Sequence, residues 1–172
     1  MVFRMAVWII FLIGGAIAGY FIDKTYFSAA VGNLPWHAVS FVVGVFLMRL
    51  VMTISRNTGR TLAKYGREGE VKRMDTNRLV KKGMYECMRH PMHLGLFLFP
   101  VAFAFLSGFL GFILIIAPLE IILMLIMIFT IEEPEAKRKF GEEYKTYMKT
   151  TPAFNFSKEC LKRLLQKIEK KM

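Results

Sequence analysis

Three stretches of the chain are almost free of charge, and the polar sequence is distributed between and after them. The first, residues 5–22, holds no charge over a length that nearly crosses a hydrocarbon core of about 30 Å. Arg4 precedes it, and Asp23 with Lys24 ends it. A signal peptide has a similar apolar region, but this run is long and no small-residue cleavage site follows before the next one, so a retained span is expected. The second, residues 34–54, opens on a proline at position 35, where the missing N–H costs a helix least, and its one charge, Arg49, lies close enough to the end to snorkel. The third, residues 94–131, is too long for one crossing: a straight helix of that length would measure about 57 Å at 1.5 Å per residue. A hairpin is predicted, turning near residues 107–111 at the glycine pair Gly108 and Gly111, with a short first arm and a kink at Pro118 in the second.

The pattern therefore predicts an all-α, polytopic membrane protein with about four transmembrane helices. Residues 1–54 would form two N-terminal spans, 55–91 a basic cytoplasmic connector, 92–131 the hairpin, and 132–172 cytoplasmic helices that help form a ligand pocket. Composition agrees: 55% of residues are hydrophobic, 22% are charged and the mean hydropathy is +0.40, which nearly rules out an ordinary soluble enzyme. The formal charge of +11 in 172 residues raises nucleic acid or anionic lipid as partners, and position decides between them. Arg4, ten cations between positions 55 and 91 and eleven after position 131 fall on one side of a four-crossing arrangement, leaving Lys24 opposite and Arg49 within a span. The positive-inside rule makes that side cytoplasmic, so the charge is read as orientation and no nucleic-acid partner is expected. In the tail, Phe154, Leu161, Leu164, Leu165 and Ile168 recur near helical spacing among lysines, as suits either an interfacial helix on anionic lipid or a solvated helix packed on the cytoplasmic part. Cys87 and Cys160 are too few and too distant in sequence for a disulfide framework, and suggest no oxidising compartment.

Candidate chemistry concentrates where cytoplasmic sequence meets the hairpin. At the first junction Tyr85, Arg89, His90 and His93 stand just before or within the first turn of a helix expected to begin at Pro91. At the second, Glu132 and Glu133 end the apolar run. A hairpin returns both junctions to one membrane face, so cations, imidazoles and carboxylates converge there, a set suited to a zwitterionic ligand. Each member also has a plain structural reading: Arg89 as positive flank, the glutamates as an acidic helix end paired with Lys137 or Arg138. Histidines three apart without cysteine are weak evidence for zinc, and no metal is expected. Glu120, deep in the second arm, is either a buried partner of another polar group or a substrate-path residue.

These residues resemble the integral-membrane methyltransferases that include isoprenylcysteine carboxyl methyltransferase and the phospholipid N-methyltransferases. The first part of that family's pattern, L-V-x-x-G-x-Y-x-x-x-R-H-P-x-Y-x-G, is matched by Leu79, Val80, Gly83, Tyr85, Arg89, His90, Pro91 and Gly95. The second, E-E-x-x-L-x-x-x-F-G-x-x-Y-x-x-Y and a later V-P, is matched by Glu132, Glu133, Phe140, Gly141, Tyr144, Tyr147 and Pro152. Three positions depart: His93 replaces a tyrosine, Ala136 a leucine, and Ile128 stands where isoprenylcysteine enzymes carry an arginine associated with the substrate carboxylate.

The resemblance covers residues 77–154 as a catalytic core and implies S-adenosyl-L-methionine as cofactor. It further implies a cofactor site lined by Tyr85, Arg89, His90, Pro91, His93, Gly95, Glu132, Glu133 and Tyr144, with Arg89, His90, His93 and Glu132 carrying the chemistry. One expected division gives the cofactor amine to Glu132 or Glu133 and its carboxylate to Arg89 or His90. The acceptor would be a lipophilic molecule or prenylated substrate reached from the bilayer. Isoprenylcysteine O-methylation is the nearest activity, phospholipid N-methylation the alternative, and a sterol-reductase-like NADPH enzyme a more distant one. An amine acceptor must lose a proton before attack, and His93 or His90 would suit as base.

Overall fold

The computed structural model describes residues 2–71 and 76–166 of the chain, and side chains from residue 7 onward. Among the described residues there is no strand. The elements are α1 (Val2–Tyr26), α2 (Ser28–Val31), α3 (Leu34–Tyr65), a 3-10 turn (Gly83–Glu86), α4 (Pro91–Ser107), α5 (Ala117–Met127), α6 (Glu133–Thr150) and α7 (Lys158–Leu165). Two π-helical turns, Phe112–Ile116 and Ile128–Glu132, precede α5 and α6 and join them into one helical stretch, Phe112–Thr150. Val7–Tyr26, Leu34–Tyr65 and Phe112–Thr150 are long and apolar enough to cross a membrane. The 17 residues of α4 give a length of about 25 Å, short of the hydrocarbon core, as expected for the first arm.

The chain divides into two compact units. The first comprises Met1–Leu50 and Phe97–Ile126. Its core is Leu12, Ala104, Phe112 and Ala117, packed around by further phenylalanines and aliphatics. Small residues set the spacing: a Cβ on Gly19 would lie 2.8 Å from that of Phe112, so only glycine lets α1 approach so closely. The hairpin turns where the glycine pair predicted. Gly108 has φ +72°, and a Cβ there would meet the His37 ring at 2.2 Å. Trp36 donates to its carbonyl (2.8 Å) and the Ser40 hydroxyl to that of Phe105 (2.6 Å). Asp23, fully buried, accepts the Leu110 N–H at 2.8 Å and the Gly111 N–H at 2.5 Å, satisfying two backbone donors at the start of the second arm. The first π turn lies immediately before Pro118, whose ring removes a helical donor. Outward residues such as Ile10, Phe21, Val42, Phe46 and Leu119 are exposed, as on a lipid-facing surface.

The second unit comprises Val51–Leu96 and Met127–Met172. Here α3 continues eleven residues beyond the apolar run that predicted it. The continuation buries polar side chains that satisfy themselves locally: Thr58 donates to the Ile54 carbonyl (2.8 Å) and Thr61 to that of Asn57 (3.0 Å). Asn57 in turn donates to the Leu164 carbonyl at 2.8 Å, tying α7 to α3. Cys160 and Leu164 face inward while Leu161 and Leu165 are exposed, so α7 packs on this unit by one narrow stripe. Residues 158–165 of the tail pack on this unit through that stripe, and Ile168 lies outside the described residues. Cys87 and Cys160, read as too distant in sequence for a disulfide framework, are brought together across 73 positions and joined as a single disulfide with Cα atoms 6.0 Å apart. The Arg163 to Glu86 ion pair (2.7 Å) lies across the same contact.

Candidate active site

The candidate residues of the two junctions lie in the second unit, on two segments that lead into helices, with Tyr144 further along α6, whereas Glu120 lies in the first unit. The first segment is 85–95. Its 3-10 turn buries Met84 and Tyr85, and α4 begins at Pro91 as predicted, with His93 in the first turn. The Arg89 and His90 amides donate to the Pro152 and Ala153 carbonyls (2.9 and 3.1 Å), a short two-bond pairing with the segment after α6. Tyr147, buried, donates its hydroxyl to the Tyr85 carbonyl, which fixes the 3-10 turn from the other side.

The second segment is the π turn that ends at Glu132 and the start of α6 at Glu133. Consecutive helical residues point about 100° apart, yet both glutamates reach the first segment because their partners are spread over five positions. Glu133 takes Arg89 and His90. Its Oε1 accepts from Arg89 Nη2 (2.6 Å), Arg89 Nε (3.2 Å) and His90 Nε2 (3.1 Å). Arg89 also donates to the Thr151 carbonyl at 2.6 Å, so its guanidinium fork is committed on both edges. The Arg89 and Glu133 side chains are 8% and 6% exposed. Glu132 takes His93, with Oε2 3.0 Å from Nε2, and this pair is more open, at 24% and 15%.

Electrostatics bear on His90. Burial lowers the His90 pKa below the ordinary histidine value, partly countered by Glu133, so His90 is neutral near pH 7. A carboxylate only accepts, so the His90 proton sits on Nε2 and Nδ1 is left as an acceptor. The rings of His90 and His93 meet edge to face at 5.5 Å, and Phe154 covers His90 at 5.8 Å. Burial, with Tyr147 beside it, pushes the Tyr85 phenol up, so it remains protonated. Ligand atoms of His90, His93 and Glu132 lie within 4.8 Å of one another, close enough to share a cation, although each imidazole already has a carboxylate partner.

A cavity of about 90 Å³, lined among others by Leu79, Val80, Tyr85, Arg89, Phe140 and Tyr144, adjoins these pairs. Tyr144 thus belongs to the site's surroundings. Gly95 has a packing explanation: a Cβ there would lie 2.7 Å from Ile54 Cγ2. Tyr147 is a matched pattern position without an expected role, while Thr151 and the 152–153 carbonyls carry no signal of their own in the sequence. The matched Pro152 marked their segment, but backbone acceptors leave no side-chain signature.

The helices and this polar cluster define the class as a helical membrane protein with a charged site on two helix-entry segments. A phospholipid methyltransferase family model matches residues 39–143, more than half of the chain, and the chain belongs to that family, within the isoprenylcysteine and phospholipid methyltransferase group. No curated protein and no solved structure matches it.

Proposed function

We propose that the protein is an S-adenosylmethionine-dependent methyltransferase whose acceptor is a lipophilic amine of the phospholipid type, with its site facing the cytoplasm. The family supports methyl transfer, and the charge distribution along the chain supports the orientation. In a reducing compartment the Cys87 to Cys160 contact would be a pair of thiols.

The donor set fits the cofactor at its cationic end. Glu132 is the partly open carboxylate and can take an ammonium while still sharing His93. Arg89 and Glu133 are already each other's partners, and removing one half of such a buried pair typically costs about 3–5 kcal/mol. The cofactor amine therefore belongs to Glu132. Arg89 and Glu133 hold residues 89–90 against 151–153, in place of the division that gives the cofactor carboxylate to Arg89 or His90.

When bound, the cofactor supplies an activated methyl group for in-line displacement. The protein's part is positioning, exclusion of water and one proton. Glu132 accepts from His93 Nε2, which leaves Nδ1 to take the proton that an ammonium acceptor must lose. This pair is the observation that carries an amine acceptor. A carboxylate acceptor needs no base and wants a cation, whereas Ile128, fully buried, stands where isoprenylcysteine enzymes place an arginine.

The test is incubation of the purified protein, in lipid vesicles, with S-adenosylmethionine labelled in its methyl group. Base-stable label in a phosphatidylethanolamine-type headgroup is expected. Label in a base-labile ester would overturn the amine assignment, and failure of the protein to bind S-adenosylhomocysteine would overturn methyl transfer itself.

A further inference from the structure

The first unit contains a buried carboxyl that its own side chains leave unanswered. Glu120 is 4% exposed, and among the described residues neither of its carboxyl oxygens has a hydrogen-bond partner. Leaving a buried acceptor unmet generally costs about 1–3 kcal/mol, and more when it is charged. The same residue lines an apolar groove of about 640 Å³ between α1 and α5, whose walls include Gly14, Gly15, Ala18, Leu119, Leu123 and Ile126. The glycines open it: a Cβ on Gly14 would meet nothing within 4 Å, while one on Gly15 would stand 3.0 Å from Glu120 Oε1.

We propose that this groove is a binding site for a compact apolar amine, with Glu120 as its only polar anchor among the lining residues. In either protonation state a carboxyl accepts through at least one oxygen, so the missing partner is a donor. An ammonium supplies donor and opposite charge together, which makes an ion in hydrocarbon tolerable. Depth narrows the ligand. Along the helical stretch Glu120 lies eight residues after Phe112 and twelve before Glu132, or about 12 and 18 Å at 1.5 Å per residue. A phospholipid headgroup rests at the membrane surface, so the amine must be carried on an apolar body without phosphate. The inference is independent of the methyl-transfer reading and concerns a different unit of the chain.

The experiment uses the full chain in phosphatidylcholine nanodiscs and radiolabelled 1-adamantylmethylamine. Saturable binding of one amine per chain is expected, with the corresponding alcohol at least tenfold weaker as a competitor. Glu120→Gln removes the charge, and Gly14→Leu fills the groove while keeping Glu120; each should weaken binding at least tenfold with a melting temperature near that of the wild type. If Glu120→Gln does not fold, Gly14→Leu decides. Equal binding of amine and alcohol, no saturable binding, or wild-type binding by Gly14→Leu overturns the proposal. So does competition by phosphatidylethanolamine matching that of the amine, or a dimer that Glu120→Gln dissociates, which would make a second copy the occupant.

Discussion

Two buried acids, one in each unit, differ in what surrounds them. Glu133 receives three donors on one oxygen from Arg89 and His90, whereas among the described residues Glu120 receives none on either. Asp23, in the same unit as Glu120, shows that this unit can answer a buried carboxylate, since two backbone N–H groups converge on it. The difference separates acids whose partners lie within the fold from one whose partner comes from elsewhere. Glu133 and Asp23 hold segments together, whereas Glu120 has the proposed amine as its partner. Glu132 stands between these cases, paired with His93 and more exposed than Glu133.

Breaking Glu133's network gives the largest expected effect. Arg89→Ala strands a buried carboxylate and frees the Thr151 carbonyl, and a loss of about 3–5 kcal/mol is expected in chemical denaturation of the detergent-solubilised protein. A loss under about 1 kcal/mol would show that the pair does not hold the site together. Asp23→Ala should cost less, about 1–3 kcal/mol, because backbone donors at a helix start lose a charged acceptor. The same denaturation series ranks the two.

A pH series sharpens the comparison further. Folding depresses the His90 pKa, so below about pH 6.5 the unfolded chain binds more protons and stability falls as pH drops toward the folded-state value; above that range this contribution is constant. The slope from this one group reaches at most about 1.4 kcal/mol per pH unit. His90→Gln should flatten the melting temperature between pH 5 and 6.5, and an unchanged profile would assign the titration to another group. The smallest effect is expected at Glu120, where Glu120→Gln removes no interaction within the chain. Its melting temperature should equal or exceed that of the wild type, and a clear drop would mean that the fold itself uses the carboxylate.

Much of this organisation is readable along the chain, though unevenly. The apolar runs locate the long helices and the glycine pair locates the hairpin turn, because lipid-facing helices and positive φ leave strong local signatures. The end of α3 is not readable in this way. Hydropathy falls at Ser55, but Asn57, Thr58 and Thr61 are buried by hydrogen bonds invisible to a hydropathy average. The junction motifs bring Arg89, His90, His93, Glu132 and Glu133 to attention, yet the choice of partner, Glu133 for Arg89 and Glu132 for His93, is made by packing across more than thirty positions. That choice decides which residues are structural and which are open to a ligand. The Cys87 to Cys160 link is illegible for the same reason, since only the docking of α7 brings the two together.

Under the proposed function two adjacent glutamates divide the work, Glu133 holding the fold and Glu132 binding the cofactor amine. Calorimetric titration of S-adenosylhomocysteine into wild type and Glu132→Gln, with a melting curve for each, tests it most directly. Binding by Glu132→Gln is expected to be at least tenfold weaker, about 1.4 kcal/mol, with little change in melting temperature. Wild-type affinity in Glu132→Gln, or a loss of affinity fully accompanied by a loss of stability, would contradict it.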